Sequence, residues 1–284
     1  MSWTFNRSTW IWKTAAVVCS DAETDRFIAF ARRNSINRVY VHVDPDISHT
    51  HWAAFMVKCA SIVSVDALMG DPAWIKDPQT HQSLQVRLDW VREYQHQYAH
   101  DERFSIQGLH LDIEPWQLDD WHGPRQHDLV RQWIKCVQDL KSWAFAQRPS
   151  LPVVADLPFW LHTLQFPGTG ERLDLVMMRN LDGAVFMTYR NSPQNLVSIA
   201  SEALMAGWRC QKRREDVYLA VETVPSEEGN HISYHGMTND RLKTDLDCLE
   251  HGHGLKERLN HELWYGGLAI HEYHTWAAME REFS

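Results

Sequence analysis

The sequence lacks most of the features that mark a cofactor site or a covalent framework. The turn after its first apolar run, Val18-Cys19-Ser20-Asp21, has no glycine, so it carries no dinucleotide-binding fingerprint and no cofactor is expected. The five cysteines are far apart without a Cys-x-x-Cys pair, against both a disulfide framework and a zinc ribbon. No Gly-x-Ser-x-Gly elbow is present to hold a serine nucleophile. No stretch approaches the roughly 18 apolar residues of a membrane span, and residues 1–14 hold no signal-peptide core. These absences predict a soluble, cytoplasmic protein with no membrane partner. Basic residues are in deficit, with 28 Lys and Arg against 37 Asp and Glu and a net charge of −9, the wrong sign for a nucleic-acid partner. The one basic run, Lys212-Arg213-Arg214, is followed by Glu215 and Asp216 and reads as a solvated helix end.

Tryptophan and histidine are abundant instead, 14 and 17 among 284 residues. Trp rarely buries completely and its N–H needs a partner, so the excess points to a stacking surface for a ring-shaped ligand. Short β-branched runs alternate with segments of helical period throughout the chain. The predicted strands are 11–18, 38–43, 61–65, 108–113, 152–156, 183–189, 217–222 and 267–271. The predicted helices are 21–34, 50–60, 79–100, 122–147, 171–181, 193–212 and 239–263, the first opened by Ser20 with Glu23 three places on. Eight strands alternating with helices, with no linker or compositional break, predict a single-domain (β/α)8 barrel spanning residues 1–284, ahead of a doubly wound sheet.

Such barrels place their chemistry at the C-terminal strand ends. Those ends carry His42 and Asp44, Asp66, His110 with Asp112 and Glu114, Asp156, Tyr189 and Arg190, Glu222, and His271 with Glu272. A single strand ending in Asp is ordinary turn chemistry, but recurrence at seven ends predicts one shared polar bowl. On the fourth strand the period of two puts His110, Asp112 and Glu114 on one face and Leu109, Leu111 and Ile113 on the other. Carboxylates two residues apart on one face lie about 6–7 Å apart at Cα, close enough for one charge to raise the other's pKa and turn a Glu into a general acid.

At this point the sequence resembles the family 18 glycoside hydrolases, the chitinase-like barrels. Their fourth strand carries Asp-x-x-Asp-x-Asp-x-Glu, to which Gly108-Leu-His-Leu-Asp-Ile-Glu114 is similar in its later part, and their sixth carries Met-x-Tyr-Asp, similar to Met187-Thr188-Tyr189-Arg190. The resemblance implies Glu114 as proton donor, Asp112 as the carboxylate assisting a substrate N-acetyl nucleophile, and Tyr189 as a hydrogen-bond partner of the reacting sugar. Three positions depart from the pattern: His110 replaces the middle Asp, Arg190 the Asp after the Tyr, and His271 the tryptophan of the sugar floor. The pair Glu114 and Glu222 also resembles the acid/base and nucleophile of the retaining barrel glycosidases, with Glu222 then doing the second job. A retaining pair stands about 5–5.5 Å apart and an inverting pair about 6.5–9.5 Å.

The expected function is therefore a glycosidase on a carbohydrate partner, with an amino-sugar oligosaccharide as substrate. The expected binding residues are His42, Asp44, Asp66, His110, Trp116, Asp156, Trp160, Arg190, His271 and Glu272. Trp74, Trp116, Trp121, Trp160 and Trp276 follow predicted strands and are candidate stacking platforms, whereas Trp12, Trp90, Trp133, Trp143 and Trp208 are assigned to the core. Two other classes stay open. One is a non-catalytic carbohydrate-binding barrel; the other is a metal-dependent hydrolase or deacetylase using His271 and His274 with His42 or Asp44, or the His251-x-His253 pair, although no metal is expected.

Overall fold

The computed structural model describes residues 5–251 and 264–282. Its strands are β1 (Asn6–Ile11), β2 (Arg38–His42), β3 (Ser64–Met69), β4 (Gly108–Leu111), β5 (Val153–Pro158), β6 (Gly183–Met187), β7 (Val217–Glu222) and β8 (Gly267–His271). Each pairs in parallel with the next and β8 closes on β1, so the expected (β/α)8 barrel is the fold. Around it lie α1 (Thr14–Val18), α2 (Asp21–Arg33), α3 (His49–Cys59), α4 (Gln82–Gln97), α5 (Gln126–Ala146), α6 (Leu173–Asn180), α7 (Pro193–Arg209), α8 (Asn239–His251) and α9 (Tyr273–Glu282). The Ser20 hydroxyl accepts from the Glu23 N–H and so caps α2 as its spacing predicts. The last predicted helix is described as far as His251, and its remainder, with His253, lies outside the described residues. No helix among the described residues is long and apolar enough to cross a membrane.

Two strands sit elsewhere than the sequence pattern predicts, and both shifts move candidate residues. The run 11–18 is not the first strand: residues 6–11 are, and Thr14–Val18 is a short helix. Short apolar runs do not distinguish a buried strand from a buried helix. The polar Ser8 and Thr9 disguise β1, yet both are fully buried because their hydroxyls donate to the carbonyls of Leu268 and Ile270 on β8. Trp12 consequently lies just past the C-terminal end of β1, half-buried, and not in the core. The third strand runs 64–69 in place of 61–65, which puts Asp66 mid-strand opposite Gly108, the first residue of β4. Asp66 is 1 % exposed and pairs with Arg38 at the start of β2, 3.5 Å away. It belongs to the lower barrel and not to the bowl.

The space inside the barrel is filled by Trp10, Tyr40, Leu68, Val154, Val185, Tyr218, Ala220 and Ala269, while a larger apolar layer joins strands to helices. Bulky rings inside require missing side chains nearby. A Cβ at Gly267 would sit 2.3 Å from the Tyr218 ring, and one at Gly70 only 1.7 Å from the carbonyl oxygen of Asp112. Gly70 directly follows β3 and lets the chain beyond β4 close against it, with the Asp112 N–H donating to the Met69 carbonyl at 3.0 Å. Gly70→Ala is expected to cost about 1–3 kcal/mol, as overpacking does, and to lower the melting temperature by about 2–4 °C per kcal/mol. An unchanged thermal scan would remove this contact from the account of the site.

Candidate active site

β4 and the three residues after it carry the predicted alternation into three dimensions. Leu109, Leu111 and Ile113 pack into the layer beneath the helices. His110 turns inward and stacks on Tyr40, ring centroids 3.7 Å apart at 26°. Asp112 and Glu114 follow beyond the strand, both half-buried, and Glu114 opens the turn Pro115–Gln117, accepting from the Gln117 amide. One carboxylate oxygen of Asp112, Oδ1, is buried with no hydrogen-bond partner among the described residues. Burial pushes the Asp112 carboxyl well above the usual carboxylate range, with the charges of Asp156 and Glu114 adding to it. Glu114 is raised as well, first by burial and then by Asp156, against the opposing hydrogen bonds from Asp112 and Gln117. The pair therefore holds protons at pH values where ordinary carboxyls have lost them.

Asp156 is the deepest of these carboxylates, 3 % exposed and inside the barrel because β5 runs on to Pro158. Its Oδ2 accepts from the Trp10 indole N–H at 3.1 Å and lies 2.9 Å from His110 Nε2; its Oδ1 and His110 Nδ1 have no partner among the described residues. His110 itself is fully buried. Neither residue is placed to touch a ligand, which corrects their assignment as binding residues. They lie under the bowl, and Asp156 acts on it through its charge.

The opposite wall is built from β6, β7, β8 and the end of β1. Tyr189 lies half-buried two residues past β6, its phenol kept protonated by burial and by the charges of Glu222, Asp156, Asp112 and Glu114. Glu222 ends β7 at 8 % exposure, its Oε1 accepting from the backbone N–H groups of Thr223 (2.8 Å) and Val224 (2.7 Å). His271 Nδ1 stands 3.0 Å from the same oxygen, and its Nε2 accepts from the Trp12 indole N–H at 2.9 Å. Because the indole can only donate, Nε2 is unprotonated and Nδ1 carries the proton shared with Glu222. Burial lowers the His271 pKa, but Glu222, with Asp156 and Glu272, raises it overall.

His42 ends β2 half-buried, its pKa lowered by burial and by Arg87, and Asp44 uses Oδ1 to accept the Asp46 N–H in the following turn. Trp116 and Trp160 are half-buried in the turns after β4 and β5, edge to face at 5.5 Å. The Arg190 guanidinium lies over the Phe159 ring, 5.6 Å from its centroid, and donates to the Tyr189 carbonyl. Glu272 is not in the bowl in any usable sense. It caps α9, accepting from the N–H groups of His274 (3.1 Å) and Thr275 (2.9 Å), and against burial its pKa is held low first by the His274 ring and then by these N–H groups. Trp74, Trp121 and Trp276 are 1 %, 1 % and 0 % exposed and offer no platform. Of the tryptophans assigned to the core, Trp90 and Trp133 are buried, Trp143 is half-buried, and Trp208 is 55 % exposed. His274 Nδ1 faces Glu272 and both His271 nitrogens are engaged, and no group of three or more His, Cys, Asp or Glu among the described residues is arranged around a metal position.

No protein-family model matches the sequence, and no curated protein does either. Solved structures do match. A class V chitinase from Pseudomonas fluorescens Pf-5 aligns with a TM-score of 0.53 at 10 % identity over 99 % of this chain and 100 % of that one. A family 18 chitinase from Cycas revoluta, crystallised with (GlcNAc)3, gives 0.57 at 11 % identity over 96 % and 97 %. The fold is that of the family 18 chitinases. Identities this low establish the chitinase fold and leave the chemistry to the residues of the bowl.

Those residues carry a stability signature that needs no substrate. Asp112 has its folded pKa raised above its unfolded value, so the native state holds a proton that the unfolded chain releases, and stability falls as pH rises between the two values. Asp112→Asn is therefore expected to raise the melting temperature at pH 7, with the gain narrowing as the pH drops toward about 4, the ordinary aspartate value. A variant that melts lower than wild type at pH 7 would show that the Asp112 charge is stabilised, against this account.

Proposed function

We propose that the chain is a glycoside hydrolase acting on an amino-sugar-containing oligosaccharide. The observation that supports this most is the Asp112 and Glu114 pair beyond β4, with both carboxyls raised by burial and by the charge of Asp156 beneath them. A carboxyl raised in this way is an effective acid near neutrality. In the proposed reaction Glu114 gives its proton to the glycosidic oxygen as the bond from the anomeric carbon breaks. The substrate acetamido oxygen forms the new bond to that carbon, while its N–H stays on nitrogen and donates a hydrogen bond to the Asp112 carboxyl. Water then adds to the anomeric carbon, gives its proton to Glu114 and releases the acetamido oxygen, which restores the acid. Tyr189, held as a neutral phenol, donates a hydrogen bond to the reacting sugar.

Glu222 is the less favoured second carboxylate. Its Oε1 already accepts two backbone N–H groups and faces His271, and engaged lone pairs make a poor nucleophile. We assign it the anchoring of His271. Arg190 and the Trp116 and Trp160 rings are proposed to line the substrate path.

The test is a screen of aryl glycosides and cell-wall fragments with the wild type and Glu114→Gln, which is expected to lose at least about a hundredfold in kcat/KM through loss of a positioned acid. Undiminished turnover in the variant would overturn the mechanism, and a carbohydrate ligand that binds without being cleaved would favour a binding barrel. Asp156→Asn should shift the alkaline limb of the rate profile to lower pH. The acid works only while protonated, and removing the Asp156 charge lowers the Glu114 pKa, so the rate falls earlier as pH rises.

A further inference from the structure

Two half-buried aromatics rest on the cluster that fills the barrel interior, Tyr189 and Trp12. Trp12 belongs to no motif of the sequence, and its neighbours give it a defined setting. We infer that Trp12 is the platform on which a sugar ring of the substrate stacks, supplied by the first strand where the eighth presents His271. This rests on the hydrolase reading and names the ring-recognition element of the same site.

Position is the first support. Trp12 follows Ile11, the last residue of β1, so it stands at the end of the barrel that also carries Glu114 and Tyr189. Orientation is the second. The indole N–H donates to His271 Nε2 at 2.9 Å, His271 Nδ1 faces Glu222 Oε1 at 3.0 Å, and Glu222 is fixed by the backbone of Thr223 and Val224. This chain sets the indole before any ligand arrives, so little rotamer freedom is lost on binding. The His42 ring flanks it at 5.7 Å and 40°. His271 is then a positioning residue, with both ring nitrogens occupied in holding Trp12.

The chemistry of the partner follows. An indole face is broad, apolar and electron-rich, and suits the C–H face of a pyranose. In an eight-stranded ring β1 stands opposite β5, so Trp12 and Trp160, which follows β5, sit across the mouth from one another with Glu114, after β4, beside Trp160. Ring-binding groups on two sides of the acid fit an oligosaccharide of at least two residues better than a single sugar.

The experiment measures binding of (GlcNAc)3 and cellotriose to the Glu114→Gln protein, in which turnover is removed, by calorimetry and by NMR transfer of saturation from the indole. At least one of the two sugars is expected to bind, with Trp12→Leu weakening it about tenfold or more, equivalent to about 1.4 kcal/mol, and Trp12→Phe, which keeps an aromatic ring, weakening it less. Trp12→Phe also frees His271 Nε2, so the imidazole, still facing Glu222, Asp156 and Glu272, should titrate at a higher pH than in the parent. Binding of neither sugar, binding unaffected by Trp12→Leu, or no transfer from the Trp12 indole to bound sugar would each overturn the platform. The transfer measurement decides on the unsubstituted ring if Trp12→Leu does not fold. Hydrolysis that depends on Glu114 but not on Trp12 sinks the platform alone, and binding that depends on Trp12 without hydrolysis by wild type sinks the hydrolase reading alone.

Discussion

A single buried carboxylate, Asp156, organises the upper half of this barrel. Placing an ionised group inside a ring of Trp, Tyr, Val and Leu side chains is costly unless donors meet it, and Trp10 and His110 do so through one oxygen. The same low-dielectric surroundings that require those donors let the charge reach outward. It raises the carboxyls of Asp112 and Glu114, helps to keep the Tyr189 phenol protonated, and raises His271. The carboxyl pair at the mouth thus owes part of its raised pKa to a residue buried beneath it.

That arrangement bears on the departures from the chitinase pattern. His110 occupies the place of a carboxylate on the fourth strand, and the negative charge beneath Asp112 comes instead from the neighbouring β5, joined to His110 by a 2.9 Å contact. A similar exchange governs the opposite wall, where His271 stands at the end of β8 and an indole from β1 leans on it. Strands adjacent in the ring can trade such roles because their ends converge on one space. The chain and the chitinases share the fold at 10–11 % identity, although these strand-end residues differ.

The bowl is also more charged than its motif suggests. Asp112, Glu114 and Glu222 stand at or just past strand ends of the same ring as His42, His271 and Arg190, and each of the last three is already engaged by a ring, a carboxylate or a carbonyl. Pre-set polar groups of this kind favour a ligand with hydroxyl and amide groups in fixed positions over an apolar one.

The sequence by itself determined the order of eight strands, the capped start of α2 and the alternation on β4 that separates His110, Asp112 and Glu114 from Leu109, Leu111 and Ile113. Those features rest on local periodicity and spacing, which a chain carries wherever it folds. Depth along the barrel axis was decided only by the tertiary structure. Parallel strands buried on both faces have no period that marks their ends, so the register with neighbouring strands alone put Asp66 low, Asp156 in the middle and Trp12 at the top. The exposure of each tryptophan was settled in the same way, by the strand and helix that happen to cover it.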